Sequence, residues 1–320
     1  MEHKYQKDLQ VWYKKMTQKD IDLSNPQTFN EKIQWLKLYD STPIKTQLTD
    51  KYLVRDWIKE KIGSEYLIPL LGVYDNFDEI NFDELPNKFI IKCNHGSGYN
   101  IIVRNKNNLD KQDAKQKINK WMSENFAFHA GYELHYFNIK PKIIIEKFIE
   151  EIEQNLYDYR FLCFDGKVEQ IWLDINSGTQ EHKRNIYDTH WNKLDVRVKW
   201  PEIEETILKP DNLTEMIKLA EILSKNFCMV RVDLYNVNNK IYFGEMTFTS
   251  MSGLGEFYPP HWDYTLGKMI KLPKRYFDVD NGKYYNTHRI LNKVFSIAQK
   301  NNKIIYKICG IKFSFKNKKK

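Results

Sequence analysis

Arg231, Asp233 and Glu245 share one largely apolar stretch, RVDLYNVNNKIYFGEMTF (231–248). Arg231 and Asp233 are two apart, a spacing that puts both side chains on one face of a strand. Residues Asn236 to Lys240 are turn formers, so the stretch reads as a hairpin whose second arm carries Glu245. Strand pairing can then set Asp233 beside Glu245. Two carboxylates among apolar neighbours repel each other and lose hydration unless a cation pairs with them. Mg2+ suits that position, because it prefers oxygen and usually sits between one or two carboxylates and substrate phosphates. An arginine beside such a cation stabilises charge that develops in phosphoryl transfer. On this segment alone, a structural ion-pair cluster is the alternative.

A second stretch, IIKCNHGSGYN (90–100), delivers Lys92 from an apolar run into a loop containing Gly96, Ser97 and Gly98. Glycines let backbone N–H groups converge on an anion, and lysine adds a point charge. The order is not that of a Walker A loop, where the lysine follows the glycines and a helix follows the lysine. Apolar Ile101 to Val103 resume after the loop, so the shape is strand, loop, strand. A phosphate loop and an ordinary hairpin turn both fit.

The elements that must hold these residues alternate between helix and strand patterns. Residues 1 to about 60 read as helices, with Asn30 as a candidate cap ahead of Ile33, Trp35, Leu36 and Leu38. LTDKYLVRDWIKEKIG reads as one further helix, stopped at Gly63. YLIPLLGVYDNFDEI predicts a strand and turn, DKQDAKQKINKWMSENFAF a helix, and PKIIIEKFIE a short apolar strand ending in charge. YDYRFLCFDGKVEQIWLDI predicts paired strands around Asp165-Gly166, and residues 211–226 a helix. No internal repeat is visible.

Composition narrows the class. The chain has 320 residues, 42% of them hydrophobic, which is enough for one large domain or two ordinary ones with a sizeable core. The net charge of +8 favours anionic partners. Cys93, Cys163, Cys228 and Cys309 form no C-x-x-C pair, so neither a zinc knuckle nor a disulfide framework is supported, and a reducing compartment fits. The N-terminus lacks a signal-peptide core and no run approaches a membrane span, so the expectation is a cytoplasmic protein. From Lys303 to Lys320 there are seven lysines and no acids. That tail reads as a fraying end, with contact to anionic lipid or polymer at the inner membrane face as the alternative.

Taken in order, the strand-entry lysine, the glycine-tipped loop, the apolar strand ending in glutamate and the Arg-x-Asp…Glu hairpin resemble the ATP-grasp superfamily. Within it the chain resembles the TupA-like polysaccharide-biosynthesis branch, through FNEKIQWLKLYD, DKYLVRDWIKEKIGSEYLIPLLGVYD, LPNKFIIKCNHGSG, PKIIIE, DYRFLCFDGKVE and RVDLY…IYFGEMTF. The resemblance implies an α+β fold in which two subdomains grip ATP, at 49–147 and 148–275, after a helical region at 1–48 and before a basic tail at 276–320. It makes Lys51 and Lys92 phosphate-binding lysines and residues His95 to Gly98 a flap over the phosphates. It makes Glu146 the hinge, with backbone near Lys147 and Ile149 reading the adenine edge, and Asp158 the ribose carboxylate. Asp233 and Glu245 become metal ligands, with Lys51, Lys92 and Arg231 neutralising the transferring phosphoryl group. Such enzymes usually have Asn two residues after the metal-binding glutamate; here Thr247 takes its place, which puts a second metal site in doubt. Arg160 and Arg184 are candidates for the substrate, and Ser252 and Gly253 lie where an acceptor loop is expected.

The activity implied is an ATP- and Mg2+-dependent carboxylate–amine ligase acting through an acyl phosphate. The branch points to joining an amino acid to a uronic acid or peptide component of a cell-surface polysaccharide, with an acidic glycopolymer as partner. Two rivals stand beside it. A glycosyltransferase using a sugar nucleotide would use Asp233 and Glu245 for its metal, but neither residue belongs to a D-x-D pair. A nucleic-acid-binding protein would suit the charge, but no recognition signature appears.

Overall fold

The computed structural model describes residues 4–149 and 157–275, and the backbone of 295–300, 303–308 and 311–316. Four helices come first: α1 (Gln6–Thr17), α2 (Phe29–Tyr39), α3 (Pro43–Thr49) and α4 (Val54–Lys61). The cap of α2 is Thr28, not Asn30. The Thr28 side chain accepts the Glu31 N–H while the Glu31 carboxylate accepts the Thr28 N–H, a reciprocal capping box. Asn30 is buried in the first turn and donates to Gly255 O at 2.7 Å and Asp263 Oδ2 at 3.0 Å. The helix expected across residues 48–63 is broken at Asp50. Its carboxylate accepts the N–H groups of Tyr52 (2.8 Å) and Leu53 (3.1 Å), so α3 stops before it and α4 starts after it.

The first sheet contains β1 (Leu70–Tyr74), β2 (Phe89–Cys93), β3 (Asn100–Val103) and β4 (Ile143–Lys147), in the order β1-β4-β2-β3. Every pairing in it is antiparallel. Period-two alternation sends Phe89, Ile91, Cys93, Ile143 and Ile145 into a core shared with Ala114 and Ile118 of α5 (Lys111–Ser123). The same alternation sends Lys92 and Glu146 to the other face.

The second sheet contains β5 (Tyr157–Phe164), β6 (Lys167–Ile175) and β7 (Lys183–Tyr187). A short strand, β8 (Arg197–Val198), and helix α6 (Leu213–Ser224) lead to β9 (Met229–Val237) and β10 (Lys240–Thr247), giving the order β10-β9-β5-β6-β7. One face carries Tyr159, Phe161, Leu173 and Val232 into a core with Leu213, Met216 and Leu223 of α6 and with Leu48, Val54 and Ile58. Residues 48–58, which the sequence grouped largely with the first sheet, therefore pack on the second. The other face is divided along its length. Leu162, Phe164, Trp172, Ile186 and Met229 are covered by α1, α2 and α7 (His261–Met269), which follows β11 (Phe257–Tyr258), the partner of β8. The remainder of that face is polar. Helix α7 passes close to the start of α2: a Cβ on Gly267 would meet Gln27 O at 2.3 Å.

The basic tail expected at 276–320 contains three strands, β12 (Phe295–Lys300), β13 (Lys303–Ile308) and β14 (Ile311–Lys316), paired as an antiparallel meander, the last two within the stretch expected to fray. The rest of the expected tail, 276–294 and 317–320, and Cys309 lie outside the described residues. Among the described residues no helix is long and apolar enough to cross a membrane.

Because the capping box fixes where α2 enters the core, Thr28→Ala should cost about 1 kcal/mol of stability. For a chain of this size that corresponds to a fall in melting temperature of about 3 °C, measured by circular dichroism. An unchanged melting temperature would show that the cap does not set the helix start.

Candidate functional site

A cleft of about 190 Å³ lies between the two sheets. Its first wall comes from β2, β4 and the α3–α4 turn, and contributes Lys51, Arg55, Lys92 and Glu146. Its second wall is the polar part of the second sheet, and contributes Asp158, Arg160, Asp233 and Glu245. Ser97, Gly98, Tyr99 and Asn100 of the glycine loop close one end, and Leu48, Val54, Leu67, Ile68, Leu234 and Phe243 form an apolar part.

Asp233 and Glu245 are direct cross-strand partners, as the hairpin reading expected. A bulge achieves this. The register shifts between Phe243 and Glu245, leaving Gly244 as the extra residue, and a Cβ there would meet Asp233 O at 3.0 Å. Arg231 lies on the same face and holds Asp233 in a fork, Nε to Oδ1 at 2.7 Å and Nη2 to Oδ2 at 2.6 Å. Its Nη2 also reaches Glu245 Oε1 at 3.2 Å and Thr247 Oγ1 at 3.2 Å, and Thr247 Oγ1 donates to Glu245 Oε1 at 2.9 Å. Enclosure raises the Glu245 carboxyl, but Lys51 and Arg231 outweigh it and hold the pKa at about 2, so the group is ionised. Asp233, more enclosed, is pushed up by burial despite Arg231 and Arg160. Among the described residues no group of three or more His, Cys, Asp or Glu is placed to hold a metal ion, so the pair supplies two carboxylates and no third such ligand.

Lys51 and Lys92 are fixed from the backbone. The Lys51 N–H donates to Asn94 O at 3.1 Å, and Asn94, fully buried, accepts the Lys142 N–H on its side chain at 2.7 Å. The Lys51 ammonium donates to Gly96 O at 2.7 Å and lies 3.9 Å from Glu245 Oε2. Burial lowers its pKa below the ordinary lysine value. Lys92 Nζ donates to Glu146 Oε2 at 2.6 Å. Across the cleft Arg160 is ringed by Asp158 (3.0 Å), Asp174 (2.8 Å) and Asp233 (3.9 Å), which outweigh burial and raise its pKa.

Not every expected residue reaches the cleft. His95 turns beneath its loop, where it is 2% exposed, bonds Trp121 O at 2.9 Å and meets the Tyr99 ring edge-on; burial lowers its pKa. Gly96 contributes its carbonyl to Lys51 and packs on Tyr99, while Ser97 and Gly98 are exposed at the rim. The Lys147 N–H is taken by Pro69 O at 2.9 Å, and neither Lys147 nor Ile149 lines the cleft. Arg184 is held by Asp174 through two bonds and lies over Trp172, so its fork is already occupied, and it does not line the cleft. Ser252 and Gly253 are tied to α2: Lys37 Nζ donates to Ser252 Oγ at 2.8 Å, and Gln34 Nε2 to Gly253 O at 2.9 Å. They do not line the cleft either.

Sequence reasoning missed Arg55 and Asp174. Arg55 stands four residues after Lys51, at the start of α4. Asp174 lies on a strand that was expected, but the residue itself was not singled out. It is fully buried, and its contacts with Arg184, His182 and Arg160 outweigh burial and hold its carboxyl well below the usual range.

No curated protein matches the sequence. Among solved structures, the D-alanine–D-alanine ligase from Bacillus anthracis aligns at TM-score 0.42 and 20% identity, over 70% of this chain and 66% of that one. The L-amino acid ligase from Bacillus licheniformis aligns at TM-score 0.45 and 13% identity, over 82% of this chain and 58% of that one. The D-alanine–D-alanine ligase from Helicobacter pylori aligns at TM-score 0.36 and 16% identity, over 71% and 61% respectively. The chain thus spans 58% to 66% of the length of these three structures. The profile of the TupA-like ATPgrasp family matches residues 31–271, a range that holds both sheets and the whole cleft, and the chain belongs to that family.

Proposed function

We propose that this protein is an ATP- and Mg2+-dependent carboxylate–amine ligase, and that its nucleotide sits in the cleft between the sheets. The observation that carries this reading is the opposition across one cleft: Lys51, Arg55 and Lys92 on one wall, the paired carboxylates Asp233 and Glu245 on the other. Phosphates need the two lysines of the first set. The second set fits Mg2+, which takes one or two carboxylates from a protein and completes its shell with phosphates and water. The ionised state of Glu245 suits a ligand.

When bound, Mg2+ would be held by Asp233 and Glu245 and would offset phosphate charge. The protein's own contribution is positioning. Lys51, fixed through Asn94, and Lys92, fixed by β2, present their ammonium groups to the phosphates. Arg231 keeps Asp233 oriented and adds positive charge beside the transferring group. The glycine loop, with Ser97 and Gly98 exposed, covers that end and keeps water from an acyl phosphate. Asp158 is available to the ribose hydroxyls, and Arg160 to a phosphate or the acceptor. The net charge of +8 supports an acidic acceptor, and the TupA-like family supports a glycopolymer setting in which an amino acid is joined to a uronic acid or peptide carboxylate.

Calorimetric titration with Mg2+ and a non-hydrolysable ATP analogue tests the first part. Saturable binding is expected, about tenfold weaker or more in Lys92→Ala. Preference for a UDP-sugar over the ATP analogue would overturn the reading. Once binding is secured, ADP release is screened with uronic acids and amino acids; release only with neutral alcohols would exclude a ligase.

Alkaline pH gives an independent check. A lysine whose pKa is lowered gives up its charge at lower pH than the ordinary value of about 10.4. Nucleotide affinity should therefore fall as pH rises toward that value, and Lys51→Arg, which stays charged, should flatten the fall. An alkaline limb identical in the two proteins would remove Lys51 from the phosphate site.

A further inference from the structure

Glu146 has two cations and little water. It is 7% exposed, and its two oxygens are divided between Arg55 (Nη1 to Oε1, 3.0 Å) and Lys92 (Nζ to Oε2, 2.6 Å). Arg55 has a second anchor: its Nη2 donates to Ile68 O at 2.7 Å. Lys92 has no second hydrogen-bond acceptor among the described contacts, and its long stem runs along the cleft face of β2. All three residues line the cleft.

This arrangement bears on how Lys92 can serve a phosphate. To reach one, its ammonium must exchange a carboxylate for the new anion. An enclosed carboxylate stripped of its only cation is strongly unfavourable, so a lone Glu146–Lys92 pair would resist the exchange. With Arg55 in place the carboxylate keeps a charged partner, one that the Ile68 carbonyl holds where it is. We propose that Arg55 is a positioning residue that retains Glu146 and so releases Lys92 to the nucleotide. Glu146 is then the internal anion that nucleotide phosphate replaces on Lys92. This inference rests on the cleft being the ATP site.

The test is a double-mutant cycle on the full chain. Binding of Mg2+ with a non-hydrolysable ATP analogue is measured by calorimetry on the wild type, Arg55→Ala, Glu146→Gln and the double variant. Thermal unfolding reports whether each folds. Arg55→Ala should bind about tenfold more weakly, because Lys92 becomes the only partner of Glu146. Glu146→Gln should bind more tightly than the wild type, because Lys92 loses its competitor. The double variant should follow Glu146→Gln, not Arg55→Ala, an outcome that a merely structural role for Arg55 would not produce. Arg55→Ala binding as tightly as the wild type, or a double variant as weak as Arg55→Ala, overturns the proposal. If Arg55→Ala does not fold, Arg55→Gln, which keeps a donor for Ile68 O without the charge, takes its place in the cycle. Wild-type protein that fails to bind the analogue overturns the ATP reading itself, a result distinct from either.

Discussion

The contact on which the site depends is the fork between Arg231 and Asp233. Asp233 and Glu245 face each other across a hairpin whose other face is buried in the main core, so their mutual repulsion is little relieved by water. Arg231 reaches both carboxylates as well as Thr247 and Ser250, and so makes the pair compatible with a packed sheet. Without that neutralisation the sheet would have to open, protonate or exclude one of the acids. The bulge at Gly244 is the backbone counterpart: it brings the two acids into direct opposition, and only a residue without a side chain leaves Asp233 O undisturbed.

The same principle extends over the rest of the polar face. Arg160 lies among three aspartates, and Asp174 among two arginines and a histidine, so charges of opposite sign alternate from β10 to β7. One wall of the cleft is therefore a nearly self-compensated lattice. The other wall, with Lys51, Arg55 and Lys92 against Glu146, carries the surplus of positive charge. An anion with several charges finds its best position between them, closer to the lysine wall.

Much of this was legible in the sequence, and the limits have physical causes. Period-two spacing placed Arg231 with Asp233, and the turn residues placed Glu245 opposite, because both signals are local. The paired carboxylates, the strand lysine and the glycine loop were found for that reason. The start of α2 was misjudged by two residues because Asn30 is a good cap in isolation, yet its amide is used by Gly255 and Asp263, more than two hundred positions away. His95 was expected in the flap because it opens the glycine loop; its bond to Trp121 O, 26 residues on, has no local signature. Arg184 looked like a free fork because Asp174 sat inside an apolar run and went uncounted. In each case a distant partner had already taken the group.

The long reach of Asn30 has a consequence for how the chain is made. Helix α2 covers part of the second sheet only with α7 beside it, and its side-chain partners Gly255 and Asp263 come 225 and 233 residues later. At about 5–20 residues per second, a ribosome takes roughly ten to fifty seconds to deliver them. The strand residues beneath α2, Leu162, Phe164, Trp172 and Ile186, also come later in the chain, so until they are made Phe29, Ile33 and Leu36 lack the sheet that they cover. Helix α2 is therefore made well before all the surfaces that bury its apolar face, which makes it a natural segment for a holding chaperone to occupy during synthesis.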